Sequence, residues 1–592
     1  MSFRSVLGQM KRRNMFRAAT LYAATMWLLL EVVTQIFPVF GLPAVLVRTI
    51  VFVALAGFPI AMTVSWFYEL TPQGLRRESA VEASESINLL TARMLDRAII
   101  VVVSLAVVLL LVNRFVGHRD TLDLPQKSIA VLPLVNESGD PDNEYFSDGL
   151  SEELIASLSQ IRDLKVIGRN SAFRFKGSNT DSRTIGAMLG VANLLEGTVR
   201  RQAERVRIVV GLVSAADGHQ LWSRTYDRNA RDIFAVQSEI AQAVADSLKV
   251  SVLGNQPGTA TEAAVRDVQA HNAYLQGHFF LERSNFESWP KAVAAFDEAI
   301  KIDPNYAIAY AERAEAWEWI STRNPSQFAQ AQESARRDAQ KAVQLAPTLS
   351  AAHTALGWIR FAVDWNYAGA IAALRRAEQL APNNAKAKYR LSQVVLFQGH
   401  IEEAIDLARQ AVELDPLSYN ARINYGRALI ANGQIEEAEA QGRKAAELQP
   451  TALASRRWQV IGAVLRGDFE TALAEAEQEN TQSSATGTTA GFRHFELALA
   501  YSIGDDREAA DAALDLLIKE DSASMAYQIA EVYAWRNEPD KAMEWLQISY
   551  DTRDAGTAGL LIDPLMKNVR DDPRYLAMLK KMGLSQGGGR VE

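Results

Sequence analysis

The chain has 592 residues, 62 of them basic and 70 acidic, and no cysteine. That length holds several domains with ample core, and the lack of thiols excludes disulfides, zinc–thiolate sites and cysteine nucleophiles. Residues 1–120 carry a net charge of +5 and the remainder −13, so the body repels phosphate backbones and nucleic acid is not an expected partner.

Three apolar segments, 18–40, 46–68 and 98–116, lie in the first 120 residues. Each has about the 20 residues that a bilayer-crossing helix needs. Arg4, Lys11, Arg12, Arg13 and Arg17 precede the first segment, no charge lies in the link around Pro43, and Arg76, Arg77, Arg93 and Arg97 follow the second. By the positive-inside rule, this pattern predicts three spans in a bacterial inner membrane. The N-terminus would be cytoplasmic and everything after about residue 117 periplasmic. Arg114 and Arg119 run against that orientation. Glu31 in the first span and Arg48 at the start of the second form a candidate intramembrane pair, structural or functional.

Residues 121–252 read as a compact α/β domain. Lys127–Val135 has strand length and Gly139–Asn143 is a turn. A helix is expected from Ser147 to Ser159, a strand over Leu164–Ile167 and a short helix over Thr184–Leu189. Two extended stretches, 192–200 and 205–214, are joined by Gln202–Glu204. Asp217-Gly218 turns the chain into Gln220–Tyr226, and Ile233–Leu248 is an amphipathic helix. Asp140, Asp142, Glu144 and Asp148 imitate the start of a calcium loop. However, Tyr145 stands where glycine is needed and Ser151 where a bidentate glutamate is needed. Arg169–Lys176, with Phe173 and Phe175 between its charges, reads as a loop or edge strand.

The strings SIAVLPLVNESGDPDNEYFSDGLSEELIASLSQ, KVIGRNSAFRFKG, LLEGTVRR and ADGHQLWSRTYDR follow in that order. Together they resemble the TolB N-terminal-like domain of bacterial membrane-anchored proteins. KRRNMFRAATLYAATMWLLLEVV and FYELTPQGLRRE resemble the anchor of the same proteins. The resemblance implies an architecture of anchor, α/β domain and helical repeats. Some relatives of that architecture carry a cyclase or a winged-helix domain on the cytoplasmic side. Neither is expected here, where 17 residues precede the first apolar segment.

A linker at 253–264 leads to a repeat array over 265–555. Pro304, Pro347, Pro382, Pro416 and Pro450 close helical runs, at successive spacings of 43, 35, 34 and 34. Thirty-four is the tetratricopeptide (TPR) period, and the longer step is assigned to an insertion around Ser321–Ser326. Ala292, Ala370, Ala404 and Ala438 fall twelve residues before their prolines. Ala299, Ala342, Ala377, Ala411 and Ala445 fall five before. Gly399 and Gly433 mark the turns between paired helices. About eight helix pairs are expected, the last three degenerate, with a helical cap and Gly-rich tail over 556–592. The fold class expected is therefore multi-domain: three transmembrane helices, an α/β domain and an all-α solenoid.

Solenoids of this kind bury a continuous core and leave a concave face. Lys386, Arg390 and Gln393 share one helix face, and Asn420, Asn424 and Arg427 share the matching face one period on. By analogy with TPR proteins that face is a partner groove; a solvated outer face is the alternative. No phosphate loop, HExxH, GxSxG or kinase pattern occurs. His271 and His278 lie too far apart along one helix to chelate an ion together and read as surface or packing residues. No catalytic residue, cofactor or metal is expected. The expected partners are a protein or peptide in the groove and the membrane, with a homo-oligomer left open. Two functions follow: a membrane-anchored interaction scaffold, or a signalling subunit acting on a separate cyclase or transcription partner.

Overall fold

The computed structural model describes residues 124–140, 143–202, 204–250, 267–283, 287–323, 328–450, 456–478, 491–504 and 506–584, with isolated short pieces elsewhere. Residues 1–121 and 122–592 form two compact units.

In the first unit, β1 (Tyr68–Thr71) and β2 (Gly74–Arg77) form an antiparallel hairpin. It occupies the end of the second expected span and the start of the following loop. No described helix is long and apolar enough to cross a membrane. This overturns the three transmembrane helices and the inner-membrane placement that rested on them. Hydropathy identifies a span only where an apolar run is also a continuous helix, and at Tyr68 the chain is paired as a strand. Most of segments 18–40, 46–68 and 98–116, with Glu31 and Arg48, lies outside the described residues, as does the expected 253–264 linker.

The second unit begins with an α/β layer. Its elements are β3 (Ser128–Val131), β4 (Val135–Asn136), α1 (Glu144–Leu158), β5 (Lys165–Val166), α2 (Arg169–Ala172), α3 (Ser182–Leu189), β6 (Asn193–Gln202), β7 (Arg205–Ser214), β8 (Gln220–Asn229) and α4 (Ile233–Ser247). The sheet order is β5-β3-β6-β7-β8, with β4 also on β6. β3 runs parallel to β5 and β6, and β6 to β8 form an antiparallel meander. Pro133 lies in the gap between β3 and β4, consistent with the donor that proline cannot give a ladder. One sheet face packs on α1 and α4. The other packs, at its β3 end, on Ile185 and Leu189 of α3, a helix capped by the Asp181 carboxylate.

Arg169–Lys176 is neither loop nor edge strand. It forms α2 and a 3-10 turn, Phe173–Phe175. The reason lies far away in sequence: the Asp415 carboxylate accepts from the Ser171 N–H at 2.8 Å and from Asn170 Nδ2 at 2.9 Å. That satisfies amide donors a lone turn of helix leaves open.

Among the described residues, sixteen helices then follow in consecutive pairs. They are α5 (Val268–Glu282), α6 (Ser288–Ile302), α7 (Ala307–Arg323), α8 (Phe328–Leu345), α9 (Ser350–Ala362), α10 (Tyr367–Leu380), α11 (Ala385–Phe397) and α12 (Ile401–Leu414). They continue with α13 (Tyr419–Ala431), α14 (Ile435–Leu448), α15 (Arg457–Arg466), α16 (Phe469–Glu477), α17 (Gly491–Ile503), α18 (Arg507–Asp521), α19 (Ala526–Trp535) and α20 (Pro539–Asp551). The nine periodic alanines are all fully buried, because helices packed 8–10 Å apart leave no room for more than a methyl group at the crossing. Asn384 and Ser418, one period apart, cap α11 and α13. Gly399 and Gly433 hold positive φ angles of 82° and 74° in the intra-pair turns. The long step in the period is realised as longer helices: α7 and α8 have 17 and 18 residues, against 13 and 14 in α11 and α12.

The α/β layer and the first pairs share one core, in which Leu150, Leu154 and Val236 meet Tyr274, Phe296 and Tyr306. Gly149 permits the approach of α1 to α5, since a Cβ there would lie 2.4 Å from the Leu275 side chain. The described residues close with 3-10 segments Ala555–Ile562 and Pro564–Val569 and α21 (Pro573–Lys581).

Candidate functional site

Successive first helices of the pairs pack on one another more closely than successive second helices do. The first helices therefore line the inner, concave side. The six residues singled out from the sequence lie on α11 and α13, which belong to that set.

The structure brings Lys386 and Arg390 together on one carboxylate. Glu315 of α7 accepts from Arg390 Nη1 at 2.9 Å, from Arg390 Nη2 at 3.1 Å and from Lys386 Nζ at 2.6 Å. Arg390 is buried, with its guanidinium 4.8 Å above the Trp358 ring. Burial opposes ionisation of Glu315, but Arg390 and Lys386 outweigh it and hold the carboxyl at about 2. Asn424 is also buried and donates to Tyr389 O at 3.2 Å and Ser392 Oγ at 3.0 Å. Gln393 is partly exposed and Asn420 exposed.

Arg427 differs from the others. It is partly exposed, between the rings of Phe397 at 5.5 Å and Trp458 at 5.9 Å. Among the described residues no carboxylate lies within ion-pair distance of it. Burial, then the nearby Arg457, lowers its pKa to about 10 against the opposing charges of Glu531 and Asp563. Arg457 itself pairs with Glu531 at 3.0 Å. Burial and the neighbouring Asp563 raise the Glu531 carboxyl well above its usual range. Asp563 comes from the C-terminal 3-10 segments and accepts from Tyr527 Oη at 2.8 Å. The same segments approach Phe397 at Gly559. Residues after 555 thus form part of the inner wall.

Glu315, Trp358, Ser392, Trp458, Glu531 and Asp563 were not legible as site residues. Their signal is a partner two or more helices away, which no local spacing carries.

His271 is buried and His278 is partly exposed. His271 Nδ1 lies 2.9 Å from Tyr306 Oη. His278 bridges Glu312, at 2.7 Å, and Glu152 of α1. Glu144 and Asp148 are both taken by Lys176 at 2.6 Å. One group of possible metal ligands among the described residues, His494 with Glu520 and Asp521, was not singled out from the sequence; its ligand atoms lie within 4.8 Å of one another.

A family model described as a tetratricopeptide repeat matches residues 398–455, the segment with the unbroken 34-residue spacing. The chain carries TPR repeats. A putative adenylate cyclase of Rhizobium meliloti is 38% identical over 189 residues. That stretch is 32% of this chain and 32% of the relative, so the chain covers about a third of that protein's length. Among solved structures, the hetero-tetramer Cut9–Hcn1 is similar at a TM-score of 0.35 with 15% identity, over 59% of this chain and 63% of that one. PilW, a type IV pilus biogenesis factor, is similar at a TM-score of 0.29 with 14% identity, over 45% and 99%. YrrB, a TPR protein with an unusual peptide-binding site, is similar at a TM-score of 0.25 with 21% identity, over 38% and 100%.

Proposed function

We propose that this protein is an interaction scaffold whose concave TPR face binds an extended or helical segment of a protein partner. Arg427 carries the reading. Its partly exposed guanidinium lies between two aromatic rings with no carboxylate in ion-pair contact among the described residues, and an acceptor supplied by a partner would complete its hydrogen bonding. Gln393 and Asn420 supply further accessible polar groups nearby. Lys386, Arg390 and Asn424 shape the face through their own buried bonds. Residues 121–252 are proposed to be the TolB N-terminal-like domain, from the motif order and the helix-backed mixed sheet.

The test is a crosslinking pull-down with the full chain, followed by affinity measurement on the captured partner. Arg427→Ala and the Gln393→Ala/Asn420→Ala pair should weaken binding at least tenfold with little change in melting temperature. Glu402→Ala and Glu436→Ala, on second helices, should leave binding intact. Unchanged binding by the inner-face variants would defeat the assignment.

The similarity to a putative cyclase favours a second reading, in which the chain is a sensory subunit acting on a separate cyclase or transcription partner. Deleting its gene would then change cellular cyclic-nucleotide levels or target transcription. A scaffold without that role would leave both unaltered.

A further inference from the structure

The sheet ends in a strand with an open edge. β8 (Gln220–Asn229) pairs, among the described residues, only with β7. Register is regular from Arg205↔Asn229 to Leu212↔Trp222, and the single irregularity falls beyond Leu212. The Ala230 N–H donates to Glu204 O at 2.7 Å, which continues the same register. Hydrogen-bonded pairs alternate along an antiparallel ladder. Arg224, Tyr226 and Arg228 therefore direct their backbone groups at β7, while Ser223, Thr225 and Asp227 direct theirs outward.

Natural edges are commonly kept short, broken by proline or covered. This one is 10 residues long, contains no proline and leaves Leu221 half exposed. Tyr226 is its one buried side chain. The surroundings are basic although the whole chain is net −8. Arg224 and Arg228 are exposed on β8. On the neighbouring strands Arg200 and Arg207 stand directly opposite each other, a like-charge pair that Asp227, opposite Arg207, offsets in part. Asp227 is the one acidic residue of β8 and is engaged by Arg205.

We propose that β8 is a strand-docking edge that takes an extended acidic segment of a protein partner. Main-chain hydrogen bonds would form at Ser223, Thr225 and Asp227, and alternate acidic side chains of the incoming strand would lie beside Arg224 and Arg228. This surface is separate from the concave TPR face.

The probe is a fluorescein-labelled nonapeptide that alternates glutamate with valine or threonine, titrated with the full chain by fluorescence anisotropy. Saturable binding that weakens with salt is expected. Thr225→Pro deletes an outward N–H and no bond to β7, and should weaken the probe at least tenfold. Arg224→Glu with Arg228→Glu should abolish binding of the acidic peptide and create binding of its lysine counterpart. The same peptide N-methylated at alternate backbone positions should not bind wild-type protein, a control independent of how any variant folds. Arg427→Ala should leave the titration unchanged, which separates this surface from the inner face. No binding at millimolar protein, or equal binding by the N-methylated peptide, overturns the proposal. Light scattering that shows concentration-dependent dimers abolished by Thr225→Pro overturns it in favour of a second copy of the chain.

Discussion

Glu315 and Arg390 are 75 residues apart in sequence and meet through two hydrogen bonds of 2.9 and 3.1 Å, bridging α7 and α11 across the inner face. Both are buried. Such a pair is costly to break by removing one partner, because the other charge stays behind in a low-dielectric site.

Arg390→Ala should therefore destabilise the protein by about 3–5 kcal/mol, measured as a lower urea midpoint at unchanged slope. Glu315→Met with Arg390→Met should recover much of that loss. A loss below about 0.5 kcal/mol for the single variant, the range of an ordinary surface change, would refute the buried role.

Acid should weaken the same pair. The folded Glu315 carboxyl sits at about 2, below the unfolded value of about 4.3. Its contribution is present above the unfolded value and is lost as pH falls toward 2. Glu315→Gln should flatten the fall in melting temperature between about pH 5 and pH 3. An unchanged acid limb would count against the pairing.

His278 should act in the opposite direction. Burial opposes its protonation, but Glu152 and Glu312 outweigh burial and raise its pKa well above 6.5. Around it, Arg169 also pairs with Glu152 and with Glu282, and Tyr274 donates to Glu312. A raised folded pKa gives stability that is complete below about 6.5, the unfolded value, and is lost as pH rises through the folded one. His278→Gln should lower the melting temperature most at pH 6, and the gap to wild type should narrow at alkaline pH. A gap that does not change with pH would remove the charge argument.

Asp415 ties the α/β layer to the array. Asp415→Ala removes the acceptor from the start of α2 and should cost about 1–2 kcal/mol, as for lost helix caps. Amide exchange at Ser171 should accelerate far more than exchange within β7. Equal protection in wild type and variant would show that α2 stands without its distant cap.

Gly433→Ala tests the repeat turns. A Cβ there would meet nothing within 4 Å, so the cost is the left-handed φ of 74° alone, about 1–2 kcal/mol. Gly149→Ala should cost more, because its Cβ would strike Leu275 at 2.4 Å. Reversed costs in urea titrations would contradict the packing of α1 on α5.

By itself the sequence determined what depends on neighbours in the chain. The 34-residue spacing, the buried alanines and the glycine turns are local consequences of helices that must touch and then reverse, so the array is legible from periodicity. Strands β6 to β8 follow likewise from alternation and short turns. Tertiary structure decided whatever needs a distant partner. Arg169–Ala172 is a helix because Asp415 caps it, and Arg390 is an internal strut because Glu315 reaches it across α9. His278 is held between two carboxylates because α1 brings Glu152 to its ring. Arg390 and Arg427 belong to the two matching trios on α11 and α13, and the spacing alone puts both on one shared face. Only the fold brings a carboxylate into contact with Arg390, while Glu531 and Asp563 act on Arg427 from beyond ion-pair distance.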